Sequence, residues 1–202
     1  MYTISEKNER VTILLHEIYG VNKYIHHFAN RLSQDGMDVV CPDLLGGNVF
    51  SYEQQAEAYQ YFMTEVGFER AAAEMKDLIQ SLQTQYKEVY LVGFSIGATV
   101  AWLCSEQEGI SGIVGYSGTR IRDYLDITPE CRTLLLFARY EASVNVDSMI
   151  PALTRKQVEV VRIAGSHGFA DVYAPTYTMH SSNRAYALVT EFFAKKSRKI
   201  IS

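Results

Sequence analysis

Apolar and polar positions alternate in blocks along this chain, and the blocks come in two kinds. Arg10 to His16 (RVTILLH) is an almost unbroken run of Val, Thr, Ile and Leu, which predicts a buried strand. A loop follows from Glu17 to Asn22. Lys23 to Gln34 carries Ile25, Phe28, Ala29 and Leu32 at helical spacing, and Gly36 ends that helix. Met37 to Cys41 is a second strand, stopped by Pro42 and Asp43. Leu44 to Gln55 reads as a loop entering a polar helical stretch. Phe68 to Gln83 is helical, with Ala72, Met75, Leu78, Ile79 and Leu82 on one side. Glu88 to Val92 is a short apolar strand, and Gly97 to Cys104 an apolar helix. Further strands are predicted at Ile110 to Tyr116, Thr133 to Ala138 and Val158 to Ile163, with a last helix from Asn183 to Lys195.

The central strands are apolar at every position rather than at every second one. That is the pattern of a largely parallel sheet covered by helices on both faces, an α/β fold. No repeat, low-complexity linker or composition break interrupts the 202 residues, so one domain spanning 1–202 is expected. In such sheets ligands bind beyond the carboxyl ends of the strands. Glu17 stands at one of those ends, where a buried strand opens into a loop.

Composition narrows the function classes. The chain is 48% hydrophobic and 21% charged, with a formal net charge of -4. That balance provides no electrostatic footprint for nucleic acid and no polybasic patch for a membrane. The basic run KKSRK, Lys195 to Lys199, suits the solvated end of a last helix. The first residues, MYTISEKNERV, contain no apolar signal core, and no apolar stretch reaches eighteen residues. Cys41, Cys104 and Cys131 are odd in number and widely spaced. They argue against a disulfide framework or a cysteine metal site, and fit small buried side chains in a reducing, cytoplasmic setting. Histidine and cysteine spacings suited to zinc are absent, and no metal or organic cofactor is implied. The aromatic cluster Tyr59, Tyr61, Phe62 and Phe68 reads as core filling or a pocket lining.

The chemistry centres on VYLVGFSIGATVAWL, Val89 to Leu103, which contains Gly93-Phe-Ser95-Ile-Gly97. Such a pentapeptide is weak evidence alone. An apolar strand before it and an apolar helix after it make the context of a nucleophile elbow, with Ser95 on the turn. A serine hydroxyl needs a base to take its proton. Of five histidines, His26 and His27 fall in the first helix and His16 ends the first strand. His167, in the glycine-rich IAGSHGFAD after a later strand, is the preferred base, with His180 in reserve. The acid that orients the base falls between serine and histidine in chain order. Glu141, directly after a strand, is preferred; Asp147, Asp123 and Asp126 remain alternatives. The oxyanion formed on acyl attack needs two donors. The N–H of Ile96 supplies one, and the N–H of Ile18 in the HEIYG loop the other.

At these residues the chain resembles the dienelactone hydrolase family within the α/β-hydrolase fold. The resemblance spans nearly the whole chain. It rests on HEIYG (His16 to Gly20), PDLLGG (Pro42 to Gly47) and GFSIGA (Gly93 to Ala98), then VGYSG (Val114 to Gly118), FARYEASV (Phe137 to Val144) and HGF (His167 to Phe169). It implies that Glu17 approaches the nucleophile and that the Ile18 N–H belongs to the oxyanion hole. It puts the acid on Glu141, with Ala138 replacing a family glycine, and the base on His167. Two departures follow. The namesake enzymes use cysteine, where this chain has Ser95. They also hold a substrate carboxylate with arginines, one placed four residues past the histidine, where this chain has Asp171.

The expectation is therefore a small serine hydrolase acting on a carboxylic ester or lactone. Tyr19, Asp171, Arg70 and Arg120 are candidate pocket residues, and short loops such as Leu45 to Tyr52 shape the pocket. The partner is a small molecule, with no nucleic acid or membrane, and the oligomeric state stays open. A thioesterase or acyltransferase using the same triad, and a silent scaffold used for binding, are the alternatives. A dinucleotide site is disfavoured, because HEIYGVN lacks the G-x-G-x-x-G spacing.

Overall fold

The computed structural model describes residues 1–195. Seven strands form one sheet in the order β1-β3-β2-β4-β5-β6-β7. They are β1 (Tyr2–Ile4), β2 (Arg10–Leu15), β3 (Asp38–Cys41), β4 (Glu88–Phe94), β5 (Ile110–Tyr116), β6 (Thr133–Tyr140) and β7 (Glu159–Ser166). β1 runs antiparallel to β3, and every other neighbouring pair is parallel. The helices are α1 (Lys23–Gln34), α2 (Gln55–Tyr61), α3 (Phe68–Gln83), α4 (Ile96–Leu103), α5 (Ile150–Arg155) and α6 (Met179–Ala194).

Alternate strand residues enter different cores, which is why the strands are apolar throughout. Leu14, Val92, Val114 and Leu136 pack with Ile25 and Phe28 of α1 and Val189 and Phe192 of α6. Ile13, Leu15, Leu91 and Ile113 face the other way, against Met75 and Ile79 of α3 and Val100 and Ala101 of α4. Leu135 and Phe137 meet Trp102 of α4 and Leu153 of α5 in a third cluster. This is the α/β-hydrolase architecture: a mostly parallel central sheet with helices on both faces.

The topology also locates a crevice. From β2 the chain moves to β3 on one side; β4 then pairs on the other side of β2 and the remaining strands follow outward. The switch point therefore lies between β2 and β4, where a ligand cleft is expected beyond the strand ends. The HEIYG loop follows β2, and Ser95 follows β4.

Several boundaries differ from the expected ones. The edge strand β1 and the six-residue α5 carry too short a pattern to register. β7 begins one residue later than predicted and runs on to Ser166, because an edge strand with partly exposed residues weakens the hydrophobic signal at its ends. α6 starts four residues earlier than predicted, at Met179. Leu44 to Val66 holds a short 3-10 turn, α2 and one π-helical turn, Phe62–Val66. Phe62 and Phe68 are buried core residues, while Tyr59 and Tyr61 are partly buried. Of the basic run from Lys195 to Lys199, all but Lys195 lies outside the described residues. All three cysteines are free, with Cys41 and Cys104 buried. No described helix is long and apolar enough to cross a membrane.

Candidate active site

The turn from β4 into α4 explains its own sequence. Ser95 has φ 51 and ψ -108, a left-handed conformation that costs energy for a non-glycine residue. A Cβ at Gly93 would be driven into the Gly97 carbonyl, and a Cβ at Gly97 into the backbone of Leu15 and His16 on β2. Both glycines are thus required by close backbone passage. The Ser95 N–H donates to the Tyr116 carbonyl at 2.8 Å, which ties the turn to the end of β5.

Ser95 Oγ lies 3.1 Å from His167 Nε2, and His167 Nδ1 lies 2.7 Å from Glu141 Oε2. The other Glu141 oxygen accepts the Ala138 N–H at 3.0 Å. The Glu141 side chain is 1% exposed and that of His167 is 41% exposed. β6 carries Glu141 at its end, and β7 leads into the His167 turn, where Gly165 and Gly168 adopt positive φ. The ends of the parallel strands β4, β6 and β7 thus deliver three side chains to one line.

The other candidates of those types are engaged elsewhere. Asp147 pairs with Arg162 at 2.5 Å, and Asp123 with Arg120 at 2.5 Å. Asp126 is exposed. His180 is exposed on α6, and His26 packs edge-on to Tyr2. His16 is fully buried; its Nε2 accepts the Leu44 N–H at 3.0 Å and its Nδ1–H donates to the Glu17 carbonyl at 2.6 Å. Burial lowers its pKa, so it stays neutral.

Glu17 is 8% exposed. Its Oε1 accepts from Asn22 Nδ2 at 2.7 Å, while its buried Oε2 has no partner among the described residues. The Asn22 side-chain Oδ1 accepts the Ile25 N–H at 3.1 Å and so caps α1. Burial first, and the charge of Asp171 after it, push the Glu17 pKa up to about 8. The side chain is therefore mainly protonated at neutral pH.

A cleft of about 1100 Å³ opens over these groups. Its lining includes Ser95, His167, Glu17, Ile18, Ile96 and Asp171. Ile96 is the first residue of α4, so its N–H has no carbonyl within the helix to bond. Tyr19 and Tyr52 line the same cleft and pack edge-to-face at 4.9 Å. Arg120 lines it too, bonded to Asp123 and to the Tyr59 hydroxyl. Arg70 does not: it is exposed on α3, where Glu74 and the Glu65 carbonyl hold it. Asp171 is 6% exposed and is no bare surface charge. Tyr52 donates to its Oδ2 at 2.6 Å and the Tyr173 N–H to its Oδ1 at 2.8 Å. Sequence reading missed Tyr52 as a partner of Asp171, and also Arg122, Arg139 and Arg162 in the lining. Among the described residues no group of three or more His, Cys, Asp or Glu is placed to hold a metal ion.

Comparison with known proteins places these observations. The model of the dienelactone hydrolase family matches residues 1–197. The uncharacterized protein YczH of Bacillus subtilis is 36% identical over 165 residues, covering 80% of this chain and 81% of that protein. A carboxymethylenebutenolidase of Pseudomonas putida is 25% identical over 158 residues, covering 73% of this chain and 65% of its own length. Among solved structures, a dienelactone hydrolase-like promiscuous phosphotriesterase from metagenomic libraries superposes with a TM-score of 0.75 at 17% identity. That match covers 96% of this chain and 89% of the other.

Proposed function

The chain belongs to the dienelactone hydrolase family, and from that premise we propose that it is a small serine hydrolase cleaving a carboxylic ester or lactone through an acyl-enzyme. The observation that carries the reading is the unbroken line from Ser95 Oγ through His167 to Glu141, at 3.1 and 2.7 Å. Ser95 Oγ attacks the carbonyl carbon as its proton passes to His167 Nε2. Glu141 accepts from Nδ1 and stabilises the imidazolium. The N–H groups of Ile18 and Ile96 take the oxyanion. The intermediate collapses, the C–O bond to the alcohol breaks, and His167 returns its proton to the leaving oxygen. Water then attacks the acyl carbon with the same base, releasing the acid and restoring Ser95.

Glu17 fits a hydroxyl nucleophile in its neutral form. An ionised carboxylate beside the oxyanion loop would oppose the negative charge that develops there. As a protonated acid it adds none. The carboxymethylenebutenolidase named among the relatives supports an ester or lactone as the substrate class. The test is hydrolysis of short-chain nitrophenyl esters and simple lactones by the purified protein and by Ser95→Ala. We expect the variant to lose at least about 10⁴ in kcat, as is common when a triad serine is removed. A variant that keeps the wild-type rate ends the proposal.

A further inference from the structure

We propose that Asp171, held by Tyr52, acts as a charge filter beside Ser95, admitting uncharged esters and turning away those that carry a carboxylate. The inference rests on the serine hydrolase reading and names its substrate class.

Placement is the first argument. Asp171 closes the same turn that carries His167, with its N–H on the Gly168 carbonyl at 3.0 Å. It lines the cleft together with Ser95, Glu17 and Tyr19. Its carboxylate is buried and cannot swing away, because the Tyr52 hydroxyl holds one oxygen and the Tyr173 N–H the other. Both partners are donors, which suits an ionised acceptor. The 2.6 Å bond from Tyr52 has the length of a charge-assisted O–H···O⁻ contact.

Reach is the second argument. Burial first, and the Asp171 charge as a smaller cause, raise the pKa of Glu17, Tyr19, Tyr24 and Tyr52, all of which line the cleft. The field of this carboxylate is therefore felt across that end of the site. A substrate anion entering there meets the same repulsion.

The cleft arginines do not offset it. Arg120 is committed to Asp123 and Tyr59. Arg122 bonds the Thr119 carbonyl at 3.0 Å and lies 3.5 Å from Asp123. Arg162 bonds Asp147 and the Arg139 carbonyl. Arg139 is exposed, where water and salt screen its charge. Tyr52 has a distinct part in the device. Its hydroxyl favours the ionised form of the carboxylate, against burial, and locks its position.

The two residues act on the same charge, so both are varied. Asp171→Asn deletes the charge and keeps an acceptor for Tyr52. Tyr52→Phe strips the hydroxyl donor that locks the carboxylate and favours its ionised form. The substrates are nitrophenyl pentanoate and the nitrophenyl monoester of glutarate, equal in chain length and differing by one carboxylate. The readout is the ratio of kcat/KM for the neutral ester to that for the anionic one, at low and high salt. We expect the wild-type ratio to exceed about tenfold and to shrink with salt. Asp171→Asn lowers the ratio by roughly tenfold, and Tyr52→Phe lowers it by less. A ratio that stays put in Asp171→Asn, or rises in Tyr52→Phe, overturns the charge filter while Ser95-dependent turnover leaves the hydrolase reading standing. A wild-type protein inert toward both esters, with Ser95 unlabelled by a covalent serine probe, removes the hydrolase reading and the filter together.

Discussion

Two glutamates approach the cleft from different strands of the same sheet. Glu141 sits at the end of β6 and Glu17 at the end of β2, and both are buried. Glu141 has each oxygen on an N–H donor, from His167 and Ala138. Glu17 has one oxygen on Asn22 and the other without a partner, with the Asp171 carboxylate acting on it. The same side chain is thus given two environments: Glu141 has a donor on each oxygen, while Glu17 has one donor and a buried oxygen without a partner among the described residues. At Glu17 burial first, and the Asp171 charge after it, favour the neutral acid.

The comparison breaks first at Glu141. Glu141→Gln removes the anion facing His167 Nδ1 while keeping size and fold. In steady-state kinetics we expect kcat to fall by at least about 10², against the ~10⁴ seen for an acid-to-amide change in a serine triad. A near-normal rate would leave Glu141 a structural residue only.

Glu17→Gln should act mainly through pH. The folded-state pKa of Glu17, about 8, lies above its ordinary value of 4.5. Its stabilising contribution is therefore complete below about pH 4.5 and is lost as pH rises through about 8. Denaturant titrations should show the variant gaining on the wild type by on the order of 4 kcal/mol between pH 5 and pH 8. In activity, the wild type should lose kcat/KM as Glu17 ionises, and the variant should hold its rate to higher pH. Identical pH profiles for the two proteins would show that Glu17 does not titrate in this range.

The smallest expected effect belongs to Asp147. Its side chain is 74% exposed and paired with Arg162 rather than with His167. Asp147→Asn should change kcat by no more than about twofold, consistent with an exposed ion pair worth under ~1 kcal/mol. If Asp147→Asn is crippled while Glu141→Gln is near normal, the two acids have been assigned the wrong way round.

The β4–α4 turn was legible because its signature is contiguous: apolar strand, Gly93-x-Ser95-x-Gly97 and apolar helix follow one another directly. Ser95 needs a strained turn, and Gly93 and Gly97 answer contacts with backbone close by in the fold. The central strands were legible for a similar reason: Ile13, Leu14 and Leu15 are all buried because each face of the sheet is covered. The short edge strand β1 has only three residues over which a period can show. The Tyr52 to Asp171 bond joins positions 119 residues apart, and no local pattern encodes it. Arg70 and Arg120 look equivalent as sequence, yet Arg70 sits on the solvent side of α3, held by Glu74. Nor did HEIYG reveal that Asn22 would serve both the helix cap and one oxygen of Glu17.

The central claim is that Ser95 becomes covalently bonded during turnover, and active-site labelling reads this directly. The protein is treated with a fluorophosphonate, digested and analysed by mass spectrometry, in parallel with an ester assay. One adduct per chain is expected, on the peptide containing Ser95, formed at the rate at which esterase activity disappears. Stoichiometric labelling of a different residue, or full inhibition with Ser95 unmodified, would contradict it.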